Sequence, residues 1–221
     1  METLVTKIVS IVLHSFIIIM QERILIKSHE LFMRYGVRSV SMDEIAAHLG
    51  ISKKTIYQYY SDKDALVEGV MEIEINRNER ECNLQQHACE NSVHEIFIAV
   101  DMVQEMLTHM NPSLIFDLEK YHPKAFKKFN DHKNKFLYGI IKNNLERGIA
   151  EGLYREEINV DILSRFRLAS MFLIFNPELF PQNKHSLSQI LTEVTDNFLY
   201  GLITAKGQKL IQKYKLQRQK Q

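Results

Sequence analysis

Apolar residues recur every three or four positions along most of the chain, which is the spacing that predicts α-helices. Short polar segments separate these stripes, and only eight glycines and four prolines occur among 221 residues. No segment requires a strand to account for its pattern. The sequence therefore predicts an all-α fold.

The predicted helices fall into a group of short ones and a group of longer ones. The short helices are expected at about 22–35, 42–49 and 53–60, within some forty residues of chain. The longer group begins at residue 62 and contains no internal repeat. Its helices are predicted at about 62–88, 92–109, 112–121, 123–152, 159–175 and 186–204.

Local signals mark the ends of these helices. Ser41 with Glu44 three residues later is a capping box at the start of the second helix, and Gly50 is placed to end that helix. Ser52 caps the third helix only two residues further on. Two short helices joined by such a tight glycine-containing turn form a helix-turn-helix, whose second helix enters a DNA groove. The remaining signals are Gly36 at the end of the first helix, Ser61 with Asp64, Asn159, and Ser186 with Gln189.

The third helix divides its side chains between two faces. Ile56 and Tyr60 are four residues apart and are expected to pack inward. The opposite face collects cations, an amide and a phenol, namely Lys53, Lys54, Tyr57 and Gln58.

These residue types match the chemistry of DNA. Lysine can donate to guanine O6 and N7, glutamine can pair with adenine, and the Thr55 methyl can touch a thymine methyl. Serines at helix N-termini and tyrosine hydroxyls suit phosphate oxygens. The candidate DNA contacts are Ser41, Ser52, Lys53, Lys54, Thr55, Tyr57, Gln58, Tyr59 and Lys63.

The same segment resembles the signature of the tetracycline-repressor (TetR) family of bacterial transcription regulators over about residues 22–68. The family usually has threonine where Ser41 stands and phenylalanine where Tyr60 stands, so the Tyr60 hydroxyl needs a partner or a route to solvent. The residues that carry the resemblance are Leu31, Phe32, Gly36, Ser41, Ile45, Ala46, Gly50, Ile51, Ser52, Tyr57, Tyr60, Lys63 and Leu66.

The resemblance implies an N-terminal helix-turn-helix DNA-binding head followed by a C-terminal helical bundle for ligand binding and dimerisation. It also implies a homodimer formed through the last two long helices, about 159–175 and 186–204. The expected domains are an apolar extension over 1–19, the DNA-binding domain over 20–66, the ligand-binding and dimerisation body over 67–205, and a basic tail over 206–221.

The function that the resemblance implies is that of a repressor bound to a palindromic operator in double-stranded DNA. A small apolar or amphipathic effector would release it, because an effector shifts operator affinity by its own preference between two states. An activator or a ligand-independent regulator of the same fold remains open, since the sequence of the body does not separate these. A helical enzyme and a membrane-tethered regulator are the alternatives from other classes.

Composition adds few constraints. A net charge of +1 requires any basic surface to be local, and two cysteines suggest a reducing cytoplasm. The family resemblance implies that this cytoplasm is bacterial and that the protein is associated with the nucleoid. No catalytic or cofactor motif is present, so an enzyme is not expected. The set Cys82, His87, Cys89 and His94 matches no zinc spacing, and no metal site is expected. Ligand-binding residues stay unassigned, because a plain core would use the same side chains as a pocket: Phe97, Met102, Met106, Phe116 and Tyr121.

The first twenty residues are mostly apolar from Leu4 to Met20. Three interpretations remain open for them. Met20 is the natural start and the upstream part is a misplaced start or a tail; the segment is an extra helix packed on the body; or it touches a membrane. The apolar run is short for a membrane span, which needs about 20 apolar residues, so a membrane partner is not expected.

Overall fold

The computed structural model describes residues 4–181 and 184–218, with side chains from Ile17 onward except that of His87. These residues form α-helices, one π-helical segment and an isolated bridge between Tyr154 and Ile203, and no strand occurs among them. The predicted all-α fold is confirmed. The helices are α1 (Leu4–Tyr35), α2 (Met42–Leu49), α3 (Lys53–Tyr57), α4 (Lys63–Ala88), α5 (Ser92–His109), α6 (Leu114–Tyr121), α7 (Pro123–His132), the π-helical segment Lys133–Leu137, α8 (Tyr138–Ala150), α9 (Val160–Leu173), α10 (Leu187–Leu202) and α11 (Ala205–Arg218).

The described chain divides into two compact units. The first contains residues 4–75 and 110–128, and the second contains 76–109 and the chain from 129 onward. The divisions fall inside α4 and α7, so each of these helices has residues in both units. As functional boundaries, the predicted limits of 20–66 and 67–205 stay predictions.

The core of the first unit joins α1, α2, α3 and the start of α4. Ile24, Ile45, Ile56 and Leu66, one from each of these helices, are fully buried in a single hydrophobic cluster. Burying four such side chains contributes roughly 1.5–3 kcal/mol each. The arrangement of these four helices is therefore fixed by a core to which each of them contributes.

The segment around α6 completes this core although it lies far away in the sequence. Leu118 and Ala125 are buried in the same cluster. The amide of Asn111 donates to the carbonyl of Met33 at 2.6 Å, and the buried Asp117 carboxylate accepts from the amide of Arg38 at 3.0 Å. The loop between α1 and α2 is thus held by α6 as well as by its own neighbours.

The second unit contains a core built from α5, α8, α10 and α11. Tyr154 and Ile211 are fully buried there, with Phe97, Leu145 and Leu199 packed around them. A buried carboxylate, Glu95, accepts hydrogen bonds from Asn144 and Arg147.

The expectation of a basic tail over 206–221 is wrong for the described part of that segment, which ends at Arg218. Residues 205–218 form α11, whose Gly207, Ile211 and Tyr214 are buried against the second unit. The Tyr214 hydroxyl accepts a hydrogen bond from Asn91 at 2.8 Å. Basic side chains lie between these buried residues, and for that reason the helical spacing of Gly207, Ile211 and Tyr214 was not recognised from the sequence.

Two predicted helix ends differ from the structure by more than two residues. α1 begins at Leu4 instead of residue 22, so it runs through the described part of the predicted extension 1–19, of which residues 1–3 lie outside the description. α3 ends at Tyr57 instead of residue 60, because the amides of Tyr59 and Tyr60 both donate to the Ile56 carbonyl in a closing turn. Over the described residues, no helix is long and apolar enough to cross a membrane.

The cap of α4 is Asp62 instead of the predicted Ser61. The Asp62 carboxylate accepts from the Ala65 amide at 2.7 Å, and the Ser61 hydroxyl donates to the same carboxylate. Since α4 begins at Lys63, Asp62 occupies the position whose side chain reaches the third amide of the helix. The predicted caps at Ser41, Ser52, Asn159 and Ser186 are confirmed.

Candidate DNA-binding surface

Short-range hydrogen bonds fix the turn that presents α3. Ser41 and Glu44 form the complete capping box of α2. Gly50 ends α2 with a left-handed backbone, φ +66°, and the next amide, that of Ile51, donates back to the Ala46 carbonyl at 3.0 Å. Ser52 then caps α3 by accepting from the Thr55 amide at 3.1 Å. The sequence therefore sets the angle between the two helices within four residues.

Burial of Ile56 orients α3 on the core. Its side chain is fully enclosed, and Tyr60 is buried beside it. The four residues predicted for the opposite face, Lys53, Lys54, Tyr57 and Gln58, are all exposed. The division of the helix into a buried and an exposed face is confirmed, while contact of the exposed face with DNA stays a prediction.

The other candidate contacts are less free. Thr55 and Tyr59 are half-buried, and Tyr59 packs against the core of the first unit. The hydroxyls of Ser52 and Thr55 lie 2.8 Å apart, and the Ser41 hydroxyl donates to Glu44 at 2.9 Å. These hydroxyls already form hydrogen bonds within the helix caps, so a contact with phosphate would use only their remaining hydrogen-bonding capacity.

Lys53 and Lys54 differ in their surroundings although they are adjacent. The Lys53 ammonium donates to the Asp43 carboxylate at 2.7 Å, and this hydrogen bond raises the pKa of Lys53. Lys54 forms no ion pair with any described carboxylate. The pairing of Asp43 with Lys53 does not follow from the sequence, because the contact of residues ten positions apart depends on the angle between α2 and α3.

Lys63 is held inside the first unit. Its ammonium donates to the carbonyls of Val37 and Val40, both at 2.6 Å, and lies 6.0 Å from the centre of the Phe32 ring. Burial lowers the pKa of Lys63. Two of its three N–H groups are therefore committed to the loop before α2, a role that its sequence position does not indicate.

The Tyr60 hydroxyl is buried and forms no hydrogen bond with the described residues. Burial raises the pKa of Tyr60 to about 12, the direction expected for a phenol shielded from water. The Gln21 side chain opposes this rise in the pKa of Tyr60, so it is the candidate for the expected partner, although the hydroxyl does not meet hydrogen-bond geometry with it.

The side chains weighed as a ligand pocket are divided between the two units. Phe97, Met102 and Met106 belong to the second unit, whereas Phe116 and Tyr121 belong to the first. Phe97 is buried in the core of the second unit, and Phe116 is exposed. No effector-binding residue follows from this set.

Cys82 lies on α4 and Cys89 directly follows that helix, and both are partly buried. Burial raises the pKa of Cys82 to about 11 and also raises that of Cys89, so both thiols are protonated at neutral pH. The side chain of His87, the third member of that set, lies outside the described residues.

Comparison with known proteins places this head in a family. Residues 24–70 match the family described as bacterial regulatory proteins, tetR family. YvaF of Bacillus subtilis (strain 168), an uncharacterised HTH-type transcriptional regulator, is 30% identical over 188 residues. That alignment covers 83% of this chain and 95% of the relative, so the similarity extends far beyond the helix-turn-helix.

Solved structures share the fold at low sequence identity. A regulator from Saccharomonospora viridis in complex with choline superposes with a TM-score of 0.68 at 16% identity, covering 83% of this chain and 97% of the other. FadR from Bacillus subtilis, in complex with stearoyl-CoA, superposes with a TM-score of 0.62 at 14% identity, covering 81% and 98%. At these identities the likeness is one of fold.

Proposed function

This chain belongs to the TetR family of DNA-binding transcriptional regulators, and from that premise we propose that it is a homodimeric repressor of a palindromic operator. A small apolar or amphipathic effector releases it. The observation that carries the proposal is α3, a helix anchored by one buried isoleucine and exposing two lysines, a tyrosine and a glutamine. Because the operator of a bacterial regulator lies on the chromosome, we also propose a cytoplasmic, nucleoid-associated location.

The exposed face of α3 supplies both kinds of contact that a specific complex needs. Lys54 and the Tyr57 hydroxyl can bind phosphate oxygens, which sets the register of the protein on the duplex. Lys53 and Gln58 can donate to base edges in the major groove. An N-terminal pair of lysines agrees with the geometry of recognition helices, whose first residues reach the bases.

An unpartnered apolar stripe on α9 supports the homodimer. Ile162, Phe166 and Leu173 lie four and seven residues apart and are 60%, 57% and 43% exposed. The exposed Ala169 lies between them on the same face, and α10 adds the exposed Tyr200. Contiguous exposed apolar surface of this kind marks an interaction site. A second copy pairing α9 and α10 with its own would cover the stripe and set two α3 helices at the spacing of two half-sites.

The effector is proposed only by class. The compared proteins hold ligands as different as choline and stearoyl-CoA on the same fold, so the fold does not select the ligand. An effector acts here by binding the DNA-free conformation more tightly than the DNA-bound one. Its binding residues on this chain are unassigned.

The proposal is tested by selecting bound sequences from a random duplex pool with the full-length protein. The expected result is an enriched palindrome whose half-sites lie about one helical turn apart. The selected duplex then reports release when candidate effectors are titrated. A well-folded protein that enriches no sequence at any salt concentration contradicts the proposal.

Lys63→Met tests whether this lysine positions the loop before α2 or binds phosphate. We propose that it positions the loop, because its ammonium donates to the carbonyls of Val37 and Val40. Leaving these carbonyls without a partner is expected to lower the free energy of unfolding by about 1–3 kcal/mol. Displacement of the loop is expected to lower operator affinity. The dependence of that affinity on salt concentration should not change.

Lys54→Met is the matched control for that experiment. It removes an exposed lysine without an intramolecular ion pair among the described residues, so stability stays unchanged. The slope of log K against log salt is expected to fall by about 0.9, the value for one phosphate contact. A similar fall in the slope for Lys63→Met, with stability unaltered, contradicts the positioning role and restores the phosphate contact.

A further inference from the structure

A carboxylate lies in the middle of the proposed DNA-binding surface. Asp43 is the second residue of α2, and its Oδ2 lies 2.7 Å from the ammonium of Lys53, the first residue of α3. The Asp43 and Lys53 side chains are 69% and 43% exposed, so the pair stands in solvent. Each comes from the N-terminal turn of its helix, and the turn at Gly50 sets them side by side.

Stability does not explain this carboxylate. An ion pair so exposed contributes little to folding, because water and salt screen it. Asp43 also plays no part in the capping box, which Ser41 and Glu44 complete without it. Against a polyanion, an acidic residue beside Lys53 reduces affinity unless the DNA offers it a hydrogen-bond donor. Donors in the major groove are the exocyclic amino groups of cytosine and adenine.

We propose that Asp43 is a specificity-determining residue, and that Asp43 and Lys53 together read one G·C base pair in the major groove. The inference rests on the proposed function, since it requires α3 to enter that groove. The Lys53 ammonium donates to guanine O6 and N7, and the Asp43 carboxylate accepts from the N4 amino group of the paired cytosine. The donor on the protein, Lys53, thus faces the two acceptors of guanine, and the acceptor on the protein, Asp43, faces the amino donor of cytosine.

The same arrangement discriminates against the other base pairs. At A·T, adenine offers the ammonium only N7, and thymine O4, an acceptor, replaces the cytosine amino group that the carboxylate needs. Guanine gives the ammonium two acceptors in place of one, so G·C is preferred. At C·G the carboxylate faces guanine O6, which cannot donate to it, and at T·A it faces the adenine amino group while the ammonium has only thymine O4. Asp43 therefore acts mainly by penalising wrong sequences.

The test compares the sequences selected by the full-length wild type, Asp43→Ala and Lys53→Ala. The wild type is expected to enrich G·C at one position of each half-site. Each variant is expected to lose about 5- to 150-fold of discrimination at that position and to keep the remaining preferences. Asp43→Ala should also bind an operator-free duplex more tightly, with the salt slope steeper by about 0.9, because Lys53 is released to a phosphate.

Glu72→Ala is the matched control. Glu72 is an exposed carboxylate of the same unit whose ion pair is with Lys128, at 3.1 Å, so the variant makes the same charge change away from α3. It should leave every base preference unchanged, and thermal melting of all variants confirms folding. If Asp43→Ala keeps the G·C preference, the inference fails even where overall affinity rises, because Asp43 then only repels phosphate. If the wild type itself enriches no sequence, the proposed function fails together with it.

Discussion

Gly148→Ala is expected to destabilise the second unit by about 3 kcal/mol, the upper part of the range for overpacking a core. A β-carbon on Gly148 would lie 2.0 Å from Cδ2 of Tyr154, inside van der Waals contact. The ring cannot move aside, because Tyr154 is fully buried and its hydroxyl donates to Asn144 at 3.1 Å. Its backbone is also fixed, since the amides of Leu153 and Tyr154 both donate to the Gly148 carbonyl.

Urea unfolding followed by circular dichroism measures this effect, and Gly139→Ala on the same helix, α8, is the control. An added β-carbon at Gly139 meets no atom within 4 Å. Alanine in place of this helical glycine is expected to raise the free energy of unfolding by about 0.5–1 kcal/mol. Equal effects of the two substitutions would show that the contact with Tyr154 does not limit the packing of α8.

Phe166→Glu is expected to convert the proposed dimer to monomers and to weaken operator binding by about 100-fold or more. A carboxylate would replace the central ring of the α9 stripe and face the same charge on the partner copy in a desolvated interface. Two heads held together bind a palindrome far more tightly than one, by factors of about 10²–10⁴. Within one protomer the loss is small, because Phe166 is exposed and its contact with Phe198 is a distant stacking at 6.4 Å.

Sedimentation gives the mass of the variant, and a duplex with one half-site provides the comparison. Affinity for the single half-site should be unchanged, which separates loss of the dimer from loss of the DNA-binding surface. Leu216→Glu places the same charge on an exposed apolar position of α11, outside the stripe, and should remain dimeric. A dimeric Phe166→Glu protein would rule out α9 as the dimer contact.

The features that could be predicted from the sequence are those decided within a few residues. Ser41 with Glu44 and Ser186 with Gln189 form their capping boxes as predicted, because a cap reaches only the next turn of backbone. Gly50 ends α2 as expected. The exposed face of α3 could also be predicted, since Ile56 and Tyr60, four positions apart, both pack inward.

The features that escaped prediction depend on partners distant in the sequence. The ammonium of Lys63 donates to carbonyls more than twenty residues away, and Asp43 finds Lys53 only after the turn is formed. α11 looked like a basic tail because its burial depends on α5, over a hundred residues earlier. Ser61 was predicted as the cap in place of Asp62 because a capping pattern locates the start of a helix only to within one or two residues.

The share of α6 in the first unit limits how this protein can be recombined with its relatives. A crossover near residue 66 would carry the whole helix-turn-helix yet leave Leu118, Ala125 and Asp117 behind. A foreign body would then have to supply an acceptor for the Arg38 amide and fill the same apolar space. Substituting the exposed positions of α3 is consequently a simpler way to transfer DNA specificity between such regulators than replacing the whole N-terminal segment.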